Sequence, residues 1–263
     1  MDTQQLAQRL DFALEIADQA SRHILRYYQQ VQLQVDQKRD LTPVTDADRG
    51  AEEILRQRIH EAYPADGIFG EEFGEEPGRS GCRWIIDPID GTKAFVRGVP
   101  LFGTLVALEC QREPVMGVCH FPALGEVIYA ARGAGAWWRL PSGETREARV
   151  SAVDKLARAT VCYTEIAGWQ ATRRTKKLLR LCDICELARG WGDCYGHMMV
   201  ATGRADIMVD PLLNPWDAAA LIPIVREAGG HFLDWHGRLT DGAGNGISVN
   251  AALKDDLIAL LNG

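Results

Sequence analysis

The sequence predicts an α/β protein with an α+β N-terminal half, and three patterns along the chain support this prediction. Apolar residues recur at helical spacing between residues 6 and 28. Short β-like runs separated by turn residues fill residues 80–150. From residue 151 onward, helical and strand-like segments alternate. We therefore expect a single domain over residues 1–263, with closely packed sub-halves of about 1–150 and 151–263 and no linker between them.

The first half begins with two predicted helices. Leu6, Leu10 and Ile24 lie on one face of the first helix, and a second helix follows Thr45 and ends before Pro64. Strands are then predicted at 84–86, 103–109, 114–120, 126–131 and 135–139. Because turn residues separate these runs at short intervals, we expect them to form an antiparallel sheet.

The second half alternates between the two kinds of element. Strands are predicted at 160–163, 205–209, 231–233 and 247–249, and helices at 172–181, 194–202, 216–228 and 253–261. Gly203 and Gly229 follow two of these helices at the position where a left-handed residue commonly ends a helix.

Composition and charge exclude several functional classes. The chain carries 29 Lys and Arg against 36 Asp and Glu, a net charge of −7, so we expect no nucleic-acid partner. No apolar run reaches the roughly 18 residues that cross a membrane, and we expect neither a signal peptide nor a membrane partner. The seven cysteines are an odd number, which indicates reduced thiols and a cytoplasmic location.

The most informative segment runs from Trp84 to Lys93, where an apolar strand ends in the turn Asp87-Pro-Ile-Asp90-Gly-Thr92. Two carboxylates so close together need a cation between them, or one of them must take up a proton. Gly91 permits a close backbone approach, and the following N–H groups suit an anion such as phosphate. The segment therefore predicts a site that holds cations and a phosphate together.

Further carboxylates add to this prediction. Glu71 follows the apolar pair Ile68-Phe69, Asp217 begins a helix behind Pro215, and Asp48 lies at the start of the second helix. Helix caps are the ordinary role of such aspartates, and a surface loop is the ordinary place of such a glutamate. Glu71 and Asp217, however, join Asp87 and Asp90 in a ligand set of oxygen atoms without His or Cys, which favours Mg²⁺, with Mn²⁺ as a possible substitute.

These motifs resemble the signatures of the inositol monophosphatase superfamily. The segments that carry the resemblance are Gly70-Glu71-Glu72, Trp84 to Thr92 and Trp216-Asp217, with Pro43 to Asp48 and Gly203 to Asp206 as further matches. The resemblance covers essentially the whole chain. It implies a layered αβαβα sandwich, a Mg²⁺-dependent phosphomonoesterase acting on a small phosphorylated substrate, and a homodimer.

The resemblance also implies the role of each site residue. Two or three Mg²⁺ ions per subunit are implied to bind Glu71, Asp87, the carbonyl of Ile89, Asp90 and Asp217. The implied catalytic residues are Asp48, Thr92, Glu71 and Asp90, with Asp48 and Thr92 orienting the water that attacks phosphorus. The implied substrate-binding residues are Glu71, Ile89, Asp90, Gly91, Thr92, Arg189, Asp193, Asp210 and Asp217. Lys38 resembles a lysine of a mobile loop near the metals, although a solvated surface charge is the simpler interpretation.

Finer features resemble the histidinol-phosphatase branch of the superfamily. They are the continuation from Asp90 to Pro100, the segment Ala188 to Tyr195, and Asp206 to Asp217. Inositol-specific members usually carry Glu where this chain has Asp210. Asp193 is either a helix cap or a partner for a cationic substrate group. Hydrolysis of L-histidinol phosphate is therefore the leading hypothesis. The alternatives are hydrolysis of inositol 1-phosphate or of 3′-phosphoadenosine 5′-phosphate, and a metal-binding regulator without activity.

Overall fold

A computed structural model describes residues 1–30, 35–37, 43–239 and 244–263 of the chain, so Lys38 lies outside the described residues. The helices within these ranges are α1 (Thr3–Ile24), α2 (Asp46–Ala62), α3 (Thr92–Phe95), α4 (Ile166–Ala171), α5 (Thr175–Ile184), α6 (Asp193–Ala201), α7 (Pro215–Ala218), α8 (Leu221–Glu227) and α9 (Lys254–Asn262). A 3₁₀ turn spans Leu156–Arg158. None of these described helices combines the length and the apolar character needed to cross a membrane.

The strands form a two-stranded hairpin and two larger sheets. Their bounds are β1 (Val35–Gln37), β2 (Pro43–Thr45), β3 (Gly67–Gly70), β4 (Gly74–Glu76), β5 (Cys82–Asp90), β6 (Gly103–Cys110), β7 (Glu113–Phe121), β8 (Glu126–Ala131), β9 (Ala136–Arg139), β10 (Thr145–Glu147), β11 (Thr160–Tyr163), β12 (Leu187–Arg189), β13 (Ile207–Asp210), β14 (His231–Leu233) and β15 (Gly246–Val249). The large sheet has the order β10-β9-β8-β7-β6-β5-β3-β4 and is antiparallel except between β3 and β5. The small sheet has the order β12-β11-β13-β15-β14 and mixes both orientations.

The elements stack in five layers, which confirms the predicted αβαβα sandwich. Helices α1 and α2 cover one face of the large sheet, with Ile16, Leu55 and Trp84 fully buried between them. Helices α6 and α8 lie between the two sheets, and α5 and α9 cover the outer face of the small sheet. Because helices cover both sheets, apolar runs such as Trp84-Ile85-Ile86 are buried on both faces.

Two predicted helices differ from the observed ones. The helix predicted at 172–181 lies at Thr175–Ile184, and a separate short helix precedes it. The helix predicted at 216–228 is divided into α7 and α8. Pro223 explains the division, because it has no N–H to donate to the carbonyl of Ala219 four residues earlier. The predicted caps are confirmed, since Gly203 and Gly229 both have positive φ.

The expectation of reduced thiols was wrong for one pair of cysteines. Cys82 and Cys110 face each other in the register of β5 and β6, with Cα atoms 4.2 Å apart, and they form a disulfide. The other five cysteines are free. The sequence does not reveal this pair, because the pairing depends on how two strands align across a twelve-residue connection.

Close packing of α8 on the large sheet depends on Gly117 in β7. A Cβ atom built on Gly117 would lie 2.1 Å from the carbonyl oxygen of Ala220, immediately before α8. We predict that Gly117→Ala lowers the free energy of unfolding by about 1–3 kcal/mol, because the backbone must shift to admit a methyl group. Gly190→Ala is the control, since a Cβ there meets nothing nearer than 3.8 Å. Urea unfolding measures both, and equal stability of the two variants would contradict the packing argument.

Candidate active site

The site forms where two parallel strands end side by side. Strands β3 and β5 pair in parallel with Gly70 opposite Ile86, so Glu71 and Asp87 leave the sheet at the same edge. Strand β5 does not end at Asp87 as the turn prediction required. It continues to Asp90, but its register with β6 shifts between Asp87 and Asp90. This irregularity lets the two carboxylates of the segment lie close together despite the alternation of a regular strand.

Three aspartates converge at this edge. Asp87, Asp90 and Asp217 each offer a carboxylate oxygen, and these oxygen atoms all lie within 4.8 Å of one another. Glu71 is close enough to form a hydrogen bond with Asp87. An all-oxygen set at this spacing fits a hard divalent cation such as Mg²⁺, because the cation removes the repulsion between the carboxylates.

Each aspartate of the cluster also accepts a hydrogen bond from the backbone. The N–H of Ile89 donates to Asp87 over 3.0 Å, and the N–H of Cys194 donates to Asp90. Asp217 accepts from the N–H of Asn214 over 2.7 Å, as the acidic member of a capping box at the start of α7. Asp217 thus takes part in the capping box of α7 and also belongs to the aspartate cluster. Backbone donors fix the direction of each carboxylate before a ligand arrives.

The carboxyl groups of the cluster hold protons far more strongly than free carboxyl groups do. Burial, followed by the charges of Glu71 and Asp90, raises the pKa of Asp87 well above its usual value. Burial and the charges of Asp193 and Asp217 do the same to the pKa of Asp90. Burial raises the pKa of Asp217 to about 7. These shifts express the cost of holding anions together without a cation, which is the cost that Mg²⁺ would remove.

The segment after the cluster presents backbone donors. Gly91 has a φ of 86° and forms the N-cap of α3, a conformation that a side chain would strain. A Cβ there would also lie 3.0 Å from the carbonyl oxygen of Leu101. The hydroxyl of Thr92 donates to the carbonyl of Ile89 over 3.0 Å. Gly91, Thr92 and Ile89 all line the cavity beside the aspartates.

Buried polar groups support the segment from behind. The hydroxyl of Thr104 donates to the carbonyl of Pro88 over 2.9 Å, and Thr104 is completely buried. Ser21 on α1 lies 3.5 Å from the Thr104 hydroxyl and 2.7 Å from Nδ1 of His120. This chain of hydrogen bonds ties the backbone between Asp87 and Asp90 to the first helix layer.

The carboxylates open into a cavity of about 560 Å³ between the two sheets. A second cavity of about 860 Å³ adjoins it and shares four lining residues, which are Lys93, Thr164, Glu165 and Asp193. The first cavity is lined by Glu71, Asp87, Ile89, Asp90, Gly91, Thr92, Lys93, Thr164, Glu165, Gly168, Asp193, Asp210, Pro211, Leu212, Leu213, Asn214, Asp217 and Gly244. The lining therefore consists of the carboxylate cluster and, beside it, a wall contributed mainly by residues 164–214 of the second half of the chain.

That adjacent wall is also acidic. Asp193 is the first residue of α6, whose N-cap is Gly192, so Asp193 is not the helix cap. Its φ of 54° is unusual for a residue with a side chain. Asp210 accepts a hydrogen bond of 2.6 Å from the hydroxyl of Thr164. Burial raises the pKa of Asp193 to about 6 and that of Asp210 to about 8.

Two residues of this wall were missed by sequence reasoning. Thr164 lies between Asp210, to which it donates, and the N–H of Asp193, from which it accepts over 3.5 Å. Glu165 forms an ion pair with Lys93 across the mouth of the cavity. No motif marks either residue. The only signal was that both follow the strand predicted at 160–163, which ends at the site.

Two predicted residues lie away from the lining of both cavities. Asp48 is buried and completes the capping box of α2, where it accepts from the N–H of Thr45 over 2.8 Å and from its hydroxyl over 2.6 Å. Arg189 is exposed, and its guanidinium donates to the carbonyl of Ala188 over 2.8 Å. Neither Asp48 nor Arg189 is among the described residues that line these two cavities. Their predicted roles in catalysis and substrate binding stay predictions.

Comparison with known proteins agrees with this geometry. The model of the inositol monophosphatase family matches residues 5–262. The chain belongs to the inositol monophosphatase family. It is similar to the histidinol-phosphatases of Chlorobaculum parvum (48% identity, 96% of each chain) and Mycobacterium tuberculosis (38% identity, 96% of this chain and 97% of that one). The crystal structure of extragenic suppressor protein suhB from Bartonella henselae has a TM-score of 0.87 at 32% identity, covering 95% of this chain and 97% of that one.

This inositol monophosphatase family member is therefore a phosphoric monoester hydrolase. The family is generally dependent on Mg²⁺, which agrees with the all-oxygen cluster.

Loss of one carboxylate tests the metal assignment. We predict that Asp90→Asn lowers kcat on the order of 100-fold or more while the fold persists, because the cluster loses a charged ligand at its centre. Phosphate release at saturating Mg²⁺ and circular dichroism measure the two effects. Asp46→Asn is the control, since Asp46 is an exposed aspartate of α2. Near-normal turnover by the folded Asp90→Asn variant would defeat the assignment.

The raised pKa of Asp210 predicts a pH-dependent stability. Between the ordinary pKa of 3.8 and about 8 the folded chain holds a proton there that the unfolded chain has lost, so stability falls as the pH rises. We predict that Asp210→Asn gains stability over the parent chain in EDTA, increasingly so from pH 5 to pH 8, by at most about 1.4 kcal/mol per pH unit.

Urea unfolding at several pH values measures this gain, with the exposed Asp183→Asn in α5 as the control. A difference between Asp210→Asn and the parent chain that stays constant with pH would show that Asp210 ionises normally in the folded protein.

Proposed function

We propose that this phosphatase hydrolyses L-histidinol phosphate to L-histidinol and phosphate, a step of histidine biosynthesis. The observation that carries the proposal is the acidic wall beside the carboxylate cluster. Asp193, Asp210 and Glu165 line the part of the cavity that a leaving group would occupy. Similarity over the whole chain to relatives named histidinol-phosphatase supports the same substrate.

An acidic wall favours a cationic leaving group. L-Histidinol carries an amine, which is protonated at neutral pH, and an imidazole, which gains a proton readily beside carboxylates. Inositol is neutral and offers only hydroxyl groups to the same wall. The pKa of Asp193 is about 6, so this carboxylate is ionised at neutral pH, and burying it against a neutral leaving group would leave its charge without the partner that a cation provides. A cation would instead form charge-assisted hydrogen bonds with Asp193, and it would favour the ionised form of Asp210 over the protonated form.

In this proposal, different residues of the chain would bind the metal, bind the phosphate and orient the attacking water. Bound Mg²⁺ would neutralise charge on the phosphate and lower the pKa of a water molecule. Glu71, Asp87, Asp90, Asp217 and the carbonyl of Ile89 would hold the metal. The N–H groups of Gly91 and Thr92 would bind phosphate oxygen atoms. The Thr92 hydroxyl, which donates to Ile89, has lone pairs left to accept from the attacking water, and Asp48 would take the proton onward.

The proposal extends to metal number, assembly and location. Two or three Mg²⁺ ions per subunit, with Mn²⁺ as a possible substitute, would balance the four carboxylates of the cluster. We further propose a homodimer in the cytoplasm, with neither nucleic acid nor membrane as a partner. Arg189 is proposed to contact the substrate after its exposed side chain turns towards the larger cavity, which the neighbouring Gly190 lines.

Two other activities and one binding role compete with this proposal. Inositol 1-phosphate and 3′-phosphoadenosine 5′-phosphate would use the same metal chemistry with other leaving groups. A metal-binding regulator would keep the cluster without turnover. Four converging carboxylates, together with backbone donors for the phosphate, favour an enzyme.

Comparison of substrates tests the proposal directly. We predict that kcat/KM with Mg²⁺ is more than roughly 100-fold higher for L-histidinol phosphate than for either of the other two phosphates. A roughly 100-fold ratio corresponds to about 2.7 kcal/mol of differential transition-state binding. Inorganic phosphate release measures all three. Equal or higher values for inositol 1-phosphate would reject the substrate while keeping the metal mechanism.

Asp193→Asn serves as the specificity control within the same assay. The ratio of kcat/KM for L-histidinol phosphate to that for inositol 1-phosphate should fall, because only L-histidinol phosphate carries a cationic group that pairs with the Asp193 carboxylate. The ratio removes any effect that the substitution has on both substrates through the neighbouring Asp90. An unchanged ratio would exclude Asp193 as the cation partner.

A further inference from the structure

Glu52 is a fully buried carboxylate that the catalytic scheme does not use. It lies on the inner face of α2 with an exposed fraction of 0%. A charge in such a position must be compensated by several donors, since burying an unpaired carboxylate costs several kcal/mol. The groups that donate hydrogen bonds to Glu52 therefore indicate which part of the chain this carboxylate holds in place.

Two of those donors are the backbone N–H groups that directly follow Glu71. The N–H of Glu72 donates to Oε2 of Glu52 over 2.8 Å, and the N–H of Phe73 donates to Oε1 over 3.2 Å. Together they bind both oxygen atoms of the carboxylate to the turn between β3 and β4. That turn is the segment that carries Glu71 towards Asp87.

The backbone before Glu71 contacts the same carboxylate. A Cβ atom at Gly70 would lie 2.1 Å from Oε1 of Glu52, so any side chain there would displace the carboxylate. The backbone before Glu71 thus packs against Glu52, and the two N–H groups after Glu71 donate hydrogen bonds to it. Glu52 therefore acts together with the pairing of β3 to β4 and β5 in fixing the backbone of Glu71.

Arg56, one helical turn after Glu52, completes the arrangement. Its Nε donates to Oε1 of Glu52 over 2.8 Å, and its exposed fraction is only 12%. A second nitrogen of the guanidinium donates to the carbonyl of Gly74, where β4 begins. Arg56 therefore neutralises Glu52 and holds the far end of the same turn.

We propose that Glu52, together with Arg56, is a positioning residue for the metal site. It fixes Glu71 at the distance from Asp87 that a divalent cation requires, and it does so without touching the cation. The inference rests on the proposed role of Glu71 as a metal ligand. Groups behind metal ligands commonly change metal affinity or activity about 10–100-fold when they are removed.

Glu52→Gln tests the proposal, because its amide nitrogen cannot accept an N–H and one of the two backbone donors loses its partner. We expect the Mg²⁺ dissociation constant, measured by calorimetry, to rise about tenfold, while kcat at saturating Mg²⁺ stays within about threefold. Glu53→Gln is the matched control, since Glu53 is the neighbouring glutamate on the exposed face of α2. If Glu52→Gln fails to fold, Glu52→Asp keeps the charge and both acceptors and shortens their reach, and the same direction of change is expected.

A double-mutant cycle with Glu71→Gln separates positioning from general stability. If Glu52 acts through Glu71, its substitution no longer changes Mg²⁺ affinity once Glu71 is replaced. An unchanged Mg²⁺ affinity in Glu52→Gln, or an effect that persists undiminished beside Glu71→Gln, would overturn the proposal. Because the readout is Mg²⁺ affinity, a failure of the histidinol-phosphate proposal in the substrate assay is distinguishable from a failure of this one.

Discussion

Mutual repulsion between buried carboxylates is the constraint on which the rest of the structure depends. Asp87, Asp90 and Asp217 bring their oxygen atoms within 4.8 Å of one another, and Glu71 joins them. Unfolded chains would keep such charges apart in water. The fold overcomes the repulsion with elements from three places in the sequence, which are β3 directly before Glu71, β5 with Asp87 and Asp90, and α7 with Asp217, and with backbone N–H donors to three of the carboxylates. The bound cation would then supply the attraction that the protein alone lacks.

The parallel pairing of β3 with β5 is how the sheet satisfies this constraint. In an antiparallel pair, the C-terminal ends of the two neighbouring strands lie at opposite edges of the sheet. In the parallel pair both strands end at the same edge, so Glu71 and Asp87 lie there together. Helix α2 packs against β5 and contributes Glu52, which accepts a hydrogen bond from the turn after β3. Trp216 packs edge-on against Phe69 at a centroid distance of 5.3 Å and brings α7, with Asp217, to the end of β3. Apolar packing thus sets the positions of the charges.

Sequence reasoning identified the carboxylates that converge and most of the fold, because those signals are local. The segment from Trp84 to Thr92 contains its strand, its turn glycine and its carboxylates within nine residues, so one pattern describes the whole arrangement. Alternation predicted four of the five strands of the small sheet and missed β12, which has only three residues. What failed depended on register between distant segments. The Cys82–Cys110 bridge, the contact of Glu52 with Gly70, and the pairing of Thr164 with Asp210 join residues 18 to 46 positions apart.

The two parts of the cavity lining come largely from the ends of different sheets. The carboxylate cluster lies at the ends of β3 and β5 and on α7, and the adjacent acidic wall lies at the ends of β11 and β13 and the start of α6. The proposed function assigns metal binding to the first part and recognition of the leaving group to the second. The separation is incomplete at one point. Asp193 lines the acidic wall, and the next residue, Cys194, donates its N–H to Asp90. A ligand that displaced the backbone of Asp193 would also displace this donor, so under the proposed function recognition of the alcohol and the direction of the Asp90 carboxylate are coupled through this one peptide.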